Sequence, residues 1–141
     1  MMIYSFWVEK RGSSLRIFLT KWFLRFASKE DIDENSLCET VGRAERGQSD
    51  ADLGGGVIKQ RITRTGEGKS GGFRPIILYQ AGERAFFLYG FGKNDRDNIS
   101  KDELRAFKEL AREMPNYADV RIRSAVWDKT LIEVNCSEQN L

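Results

Sequence analysis

Histidine is absent from this 141-residue chain, so acid–base chemistry near neutral pH has no imidazole to use. Cysteine is nearly absent: Cys38 and Cys136 stand far apart in unlike segments. Without histidine nearby, two isolated cysteines make neither a zinc site nor a disulfide framework, and reduced thiols are the expectation. No apolar run approaches the ~20 residues that span a bilayer. Met1 to Val8 is too short for a signal-peptide core, and its positive charges follow the apolar stretch instead of preceding it. The expected location is the cytoplasm, with no membrane partner. Neither paired carboxylates nor a ligand-spaced cluster stands out, so no metal or other cofactor is expected. There is no internal repeat.

What is present is a soluble, globular composition, with 40% hydrophobic and 31% charged residues. The length suits one modest core. A net charge of +2 is too small for a surface that binds nucleic acid everywhere, so any phosphate site must be local. The cations are unevenly spread to match. Lys59, Arg61, Arg64, Lys69 and Arg74 fall within one short span that holds a single acid, Glu67.

Patterning gives the elements. Arg16 to Thr20 reads as a strand, and Lys21 to Ala27 as a short helix carrying Trp22, Phe23 and Phe26. Asp33 is a good N-cap for a second helix that runs to about Arg46 with Leu37, Val41 and Ala44 inward. Val57 to Thr63 reads as one strand, with Ile58 and Ile62 opposite Lys59 and Arg61. A glycine-rich loop, Gly66 to Gly72, follows. Phe73 to Gln80 and Arg84 to Phe91 form a hairpin around Ala81-Gly82-Glu83, apolar on both faces as central strands are. Ser100-Lys101-Asp102-Glu103 is a capping box that opens a helix ended by Pro115. Leu131 to Val134 is a possible short strand. The expected fold is α+β: a small, mostly antiparallel sheet with helices packed on one face. The other face, with Lys59, Arg61 and Arg74, would be left open. Residues 1–14 read as an N-terminal extension, 15–114 as the domain and 115–141 as a C-terminal extension.

Two cationic turns carry the chemistry. Gly66-Glu67-Gly68-Lys69-Ser70-Gly71-Gly72 looks like a phosphate-binding loop, but a P-loop opens a helix and here a strand follows. Lys59, Arg61, Lys69, Arg74, Lys93 and Arg96 come instead from neighbouring strands and their ends. Arginine holds a phosphate through two parallel hydrogen bonds, and lysine acts as a movable point charge. Such a cluster suits binding RNA or cutting it. Cutting needs a base for the 2′-hydroxyl, charge stabilisation at phosphorus and an acid for the leaving oxygen. Lysine serves as base only where burial or neighbouring cations bring its pKa from ~10.4 toward neutrality. Phe73, Tyr79, Tyr89 and Phe91 would stack on bases if they faced outward.

Taken in order, four strings resemble the RelE/ParE superfamily of toxin–antitoxin toxins, in a HigB-like branch. They are Arg16-Ile-Phe-Leu-Thr-Lys-Trp-Phe, Asp50-Ala-Asp-Leu-Gly-Gly-Gly-Val-Ile-Lys-Gln-Arg, Lys69-Ser-Gly-Gly-Phe-Arg, and Phe86-Phe-Leu-Tyr-Gly-Phe-Gly-Lys-Asn-Asp-Arg-Asp-Asn-Ile. The resemblance implies a toxin held inactive by a cognate antitoxin, of helix-turn-helix type, that enters the ribosome and cleaves translated mRNA without metal. ParE-like members poison DNA gyrase instead, and a degenerate member would only bind antitoxin or RNA. By position, the resemblance implies Arg74 for transition-state charge, Arg96 for that charge or the leaving group, and Lys69 or Lys59 as base. Lys59, Arg61, Lys93 and Tyr89 would contact RNA. Asn98-Ile99 stands where RelE members carry a base-stacking tyrosine.

Overall fold

A computed structural model of the chain describes residues 15–64, 68–93, 95–96 and 98–136; the side chains of residues 63–71 and of residue 115 lie outside the described part. The expected N-terminal extension and the end of the C-terminal one also lie outside it. The elements are β1 (Arg16–Thr20), α1 (Lys21–Lys29), α2 (Glu34–Glu45), β2 (Ala51–Gly54), β3 (Val57–Lys59), β4 (Ile62–Arg64), β5 (Gly68–Gln80) and β6 (Arg84–Gly92). After them come α3 (Lys101–Glu113), a 3-10 turn (Met114–Asn116), α4 (Asp119–Trp127) and β7 (Leu131–Val134).

Local chemistry sets the helix starts. Thr20 accepts from the Phe23 N–H, Asp33 from that of Ser36, and Ser100 forms the full capping box with Glu103. The strands join in the order β2-β3-β5-β6-β1-β7, with β4 pairing on β5. All pairs are antiparallel except β1 with β6. The fold is therefore α+β with a mostly antiparallel sheet, and β5 and β6 are central as their double-sided apolar pattern requires.

The helices, however, occupy both faces. On one face, Ile17, Leu19, Ile58, Phe73, Ile77 and Phe87 pack with Phe23 and Ala27 of α1 and Leu37, Val41 and Ala44 of α2. On the other, Phe18, Val57, Ile76, Leu78 and Phe86 pack with Ala111 of α3, Met114 and Ile122 of α4. The face expected to be open beside Lys59 therefore carries α3. Alternation along β1 explains why: Ile17 and Leu19 fall in the first cluster and Phe18 in the second, each fully apolar.

Two element boundaries also differ from expectation. The single strand read over Val57 to Thr63 is two, because Gln60 and Arg61 break the ladder between β3 and β4. Gln60 is wholly buried, receiving the Asp50 N–H at 2.6 Å and donating to the Thr40 carbonyl at 3.1 Å. The glycine loop is shorter than expected, since Gly68–Gly72 already belongs to β5, where Gly68 pairs with Arg64.

The reduced-thiol expectation is corrected as well. Cys38 and Cys136 are joined by a disulfide across 98 residues, with Cα atoms 5.9 Å apart. Pairing of β7 along β1 brings the chain just past Val134 beneath α2, and the sulfurs meet at the edge of the first core. No helix among the described residues is long and apolar enough to cross a membrane.

Candidate functional site

The sheet gathers several cationic residues at the end where β5 begins and β3 and β6 finish. Lys59 lies directly across from Ile76 on β5, and Ile76 lies across from Tyr89 on β6. Two residues earlier on β5, Arg74 lies across from Phe91. Since side chains two apart share a face, Arg74 joins the Ile76 side of the sheet. Beyond β6, Arg96 returns to this face with its guanidinium 5.5 Å from the Phe91 ring centroid.

Arg74 is the buried cation of the set, only 8% exposed, with Nη1 donating to its neighbour's carbonyl, that of Phe73, at 3.2 Å. Burial, then the positive charge of Arg61, push its guanidinium below the ordinary arginine value, and Asp50 offsets part of that.

Arg61 flanks it from the break between β3 and β4. Asp50 accepts from the Arg61 N–H at 2.8 Å and pairs with its guanidinium at 3.1 Å. Arg43 of α2 completes the arrangement, pairing with Asp50 at 3.2 Å and donating to the Arg61 carbonyl. Partial burial alone would raise the Asp50 pKa, but the Arg61 backbone and the two guanidiniums outweigh it, and the carboxyl sits below its usual value. Arg61 is therefore anchored, with its charge partly answered.

Arg96 is more fully engaged. It forks onto Glu103 through Nη1–Oε2 at 3.1 Å and Nη2–Oε1 at 2.6 Å, donates to the Tyr89 hydroxyl at 3.2 Å, and to the Asn98 carbonyl through Nε at 2.9 Å. The Arg96 fork, helped by the Ser100 N–H, holds the Glu103 carboxyl down at about 2. Asn98 bridges the two sides: its Oδ1 receives Lys59 Nζ at 3.2 Å and the Ile99 N–H at 2.9 Å.

The aromatic expectations change. Phe73 and Phe91 are core residues, each 4% exposed. Tyr79 faces α2 and bonds Glu45. The Tyr89 ring is packed against Trp22 of α1, with centroids 4.5 Å apart, and Phe107 of α3 at 5.7 Å. Trp22 reaches it because β1 stops at Thr20, whose hydroxyl bonds the Leu88 carbonyl at 3.3 Å. Gly90 admits the adjacent α1, since a Cβ there would lie 2.9 Å from the Phe26 ring and 3.0 Å from that of Phe23.

Of the sequence-predicted residues, Lys59, Arg61, Arg74, Tyr89 and Arg96 come together here. Lys93 follows directly after β6 and its N–H bonds the Gly72 carbonyl at 3.0 Å, which puts it at the same end. Lys69 lies on β5, but its side chain is outside the described part. The sequence reading missed Asp50, Arg43, Asn98, Glu103 and Trp22 as parts of this site. Only Glu103 carried a local signal, the capping box; the others depend on contacts between distant segments. Among the described residues, no group of three or more His, Cys, Asp or Glu side chains could hold a metal ion.

Comparison with known protein families finds a match over most of the chain. The model described as RelE toxin of RelE / RelB toxin-antitoxin system matches residues 15–134. No curated protein matches the chain.

Proposed function

The chain belongs to the RelE toxin family and is a toxin of a toxin–antitoxin system, and we propose that it acts as a ribosome-dependent endoribonuclease on mRNA, without a metal. Within the family we place it in the HigB-like branch, on the order of its motifs from Arg16 to Ile99. Its silencing partner is a cognate antitoxin of helix-turn-helix type, and its site of action is cytoplasmic.

The observation that carries this reading is Arg74: a buried guanidinium beside Arg61, on the sheet face that also carries Lys59 and Tyr89. Two neighbouring guanidiniums attract a phosphate, and they attract a pentacoordinate phosphorus with extra negative charge more strongly, which is the differential binding catalysis needs. In the proposed reaction the 2′-oxygen attacks phosphorus and the bond to the 5′-oxygen breaks. Arg74 stabilises the charge that builds on the non-bridging oxygens. Lys59 or Lys69 takes the 2′ proton. Arg61 and Lys93 add positive potential along the RNA backbone, and Arg96 assists departure of the leaving oxygen.

The test is expression of the chain alone, followed by mapping of mRNA ends in the arrested cells. Cuts within translated codons, lost in Arg74→Ala, support the reading. Intact mRNA together with a DNA-damage response would point to gyrase and sink it.

A further inference from the structure

We infer that the Tyr89 hydroxyl is the proton donor to the departing 5′-oxygen, with Arg96 and Glu103 as the positioning residues that aim it. The inference rests on the nuclease reading above and goes beyond it by assigning the acid.

The hydrogen-bond directions decide the matter. A guanidinium only donates, so in the Arg96–Tyr89 contact the phenol oxygen is the acceptor. The phenol's own proton is left to point elsewhere, and among the described residues no acceptor receives it. Arg96 in turn has all but one of its N–H donors committed to Glu103, Tyr89 and Asn98. It is poorly placed to grip a phosphate and well placed to hold a phenol.

The aim is rigid. Glu103 is locked as the third residue of a capped helix, receiving the Ser100 N–H at 2.7 Å. Trp22 and Phe107 hold the ring. Across the sheet, Tyr89 and Lys59 are the two cross-strand partners of one residue, Ile76, and Arg74 lies two residues along the same strand. Acid, charge stabiliser and one candidate base thus surround a single point of the sheet face.

The step balances without a further reagent. The 2′-oxygen gains its bond to phosphorus and gives its proton to lysine. The P–O5′ bond breaks, and O5′ takes the Tyr89 proton. The products are a 2′,3′-cyclic phosphate and a 5′-hydroxyl, and solvent returns the proton from lysine to the phenolate.

The experiment uses the full chain on ribosomes carrying a synthetic mRNA whose scissile 5′-oxygen is replaced by sulfur, beside the all-oxygen mRNA. A thiolate leaves without being protonated. Tyr89→Phe, checked for an unchanged melting temperature, should slow cleavage of the oxygen mRNA by about 10²–10⁴-fold and cut the sulfur mRNA near the parental rate. Arg96→Ala should show the same pattern, while Arg74→Ala should be slow on both. Equal slowing of Tyr89→Phe on the two substrates, or no slowing on either, overturns the assignment. Cleavage of neither substrate by the parental chain overturns the nuclease reading itself, and the assignment with it.

Discussion

Arg96 and Glu103 are joined by two hydrogen bonds, 2.6 and 3.1 Å long, between the end of β6 and the first turn of α3. The pair ties the helix that covers one sheet face to the strand that carries Tyr89. It also makes the site respond to acid.

Because Glu103 is held at about 2 from an ordinary 4.5, its charged form is the one the fold favours. The stability it contributes is present above the unfolded value and is lost as pH falls from about 4.5 to about 2. Thermal melts in that window should show a steep decline for the parental chain. Glu103→Gln should start lower at neutral pH and decline less steeply; parallel curves would remove this role.

Gln60→Leu should destabilise the chain by about 1–3 kcal/mol, because it strands the Asp50 N–H without a partner and removes the tie to the Thr40 carbonyl of α2. Urea unfolding reads this as a lower midpoint at constant slope. A midpoint equal to that of the parental chain would show that Gln60 does not stitch α2 to the β3–β4 break.

Gly90→Ala drives a methyl group into the Phe23 and Phe26 rings, so overpacking should cost about 1–3 kcal/mol. Since α1 also carries Trp22, the displacement should loosen the Tyr89 ring, and Trp22 fluorescence should change in the folded state. A fully stable variant with unaltered fluorescence would mean that α1 has room to spare.

The disulfide closes a loop of 98 residues, and Cys136→Ala should lower stability by about 2–4 kcal/mol under oxidising conditions. In reductant the parental chain and the variant should converge. If reductant leaves the parental melting temperature unchanged, the bond contributes nothing to stability.

Much of this fold could be read from the chain, and the parts that could not share a cause. Asp33, Ser100 and the Ala81–Glu83 turn act on residues a few positions away, so the two longer helices and the hairpin were legible. Asp119–Trp127 was not: α4 begins without a side-chain cap and its inward face offers one fully buried residue, Ile122. The Cys38–Cys136 bond depends on β7 pairing with β1, and nothing local announces that pairing. At the site, arginines were legible as cations but their partners were not. Asp50 meets Arg61 only after β2 folds back on β3, and Asn98 meets Lys59 only once the chain leaves β6. The aromatics of β5 and β6 looked like stacking platforms, and two of them proved to be core because α1 to α3 cover both faces.

The most direct measurement is cleavage of a defined mRNA on purified ribosomes by the parental chain and by Arg74→Ala, each first shown to melt at a similar temperature. The parental chain should cut within codons, and the variant should be slower by about 10²–10³-fold, the usual cost of one transition-state donor. Equal rates in a correctly folded variant, or no cutting by the parental chain, would contradict the proposed reaction.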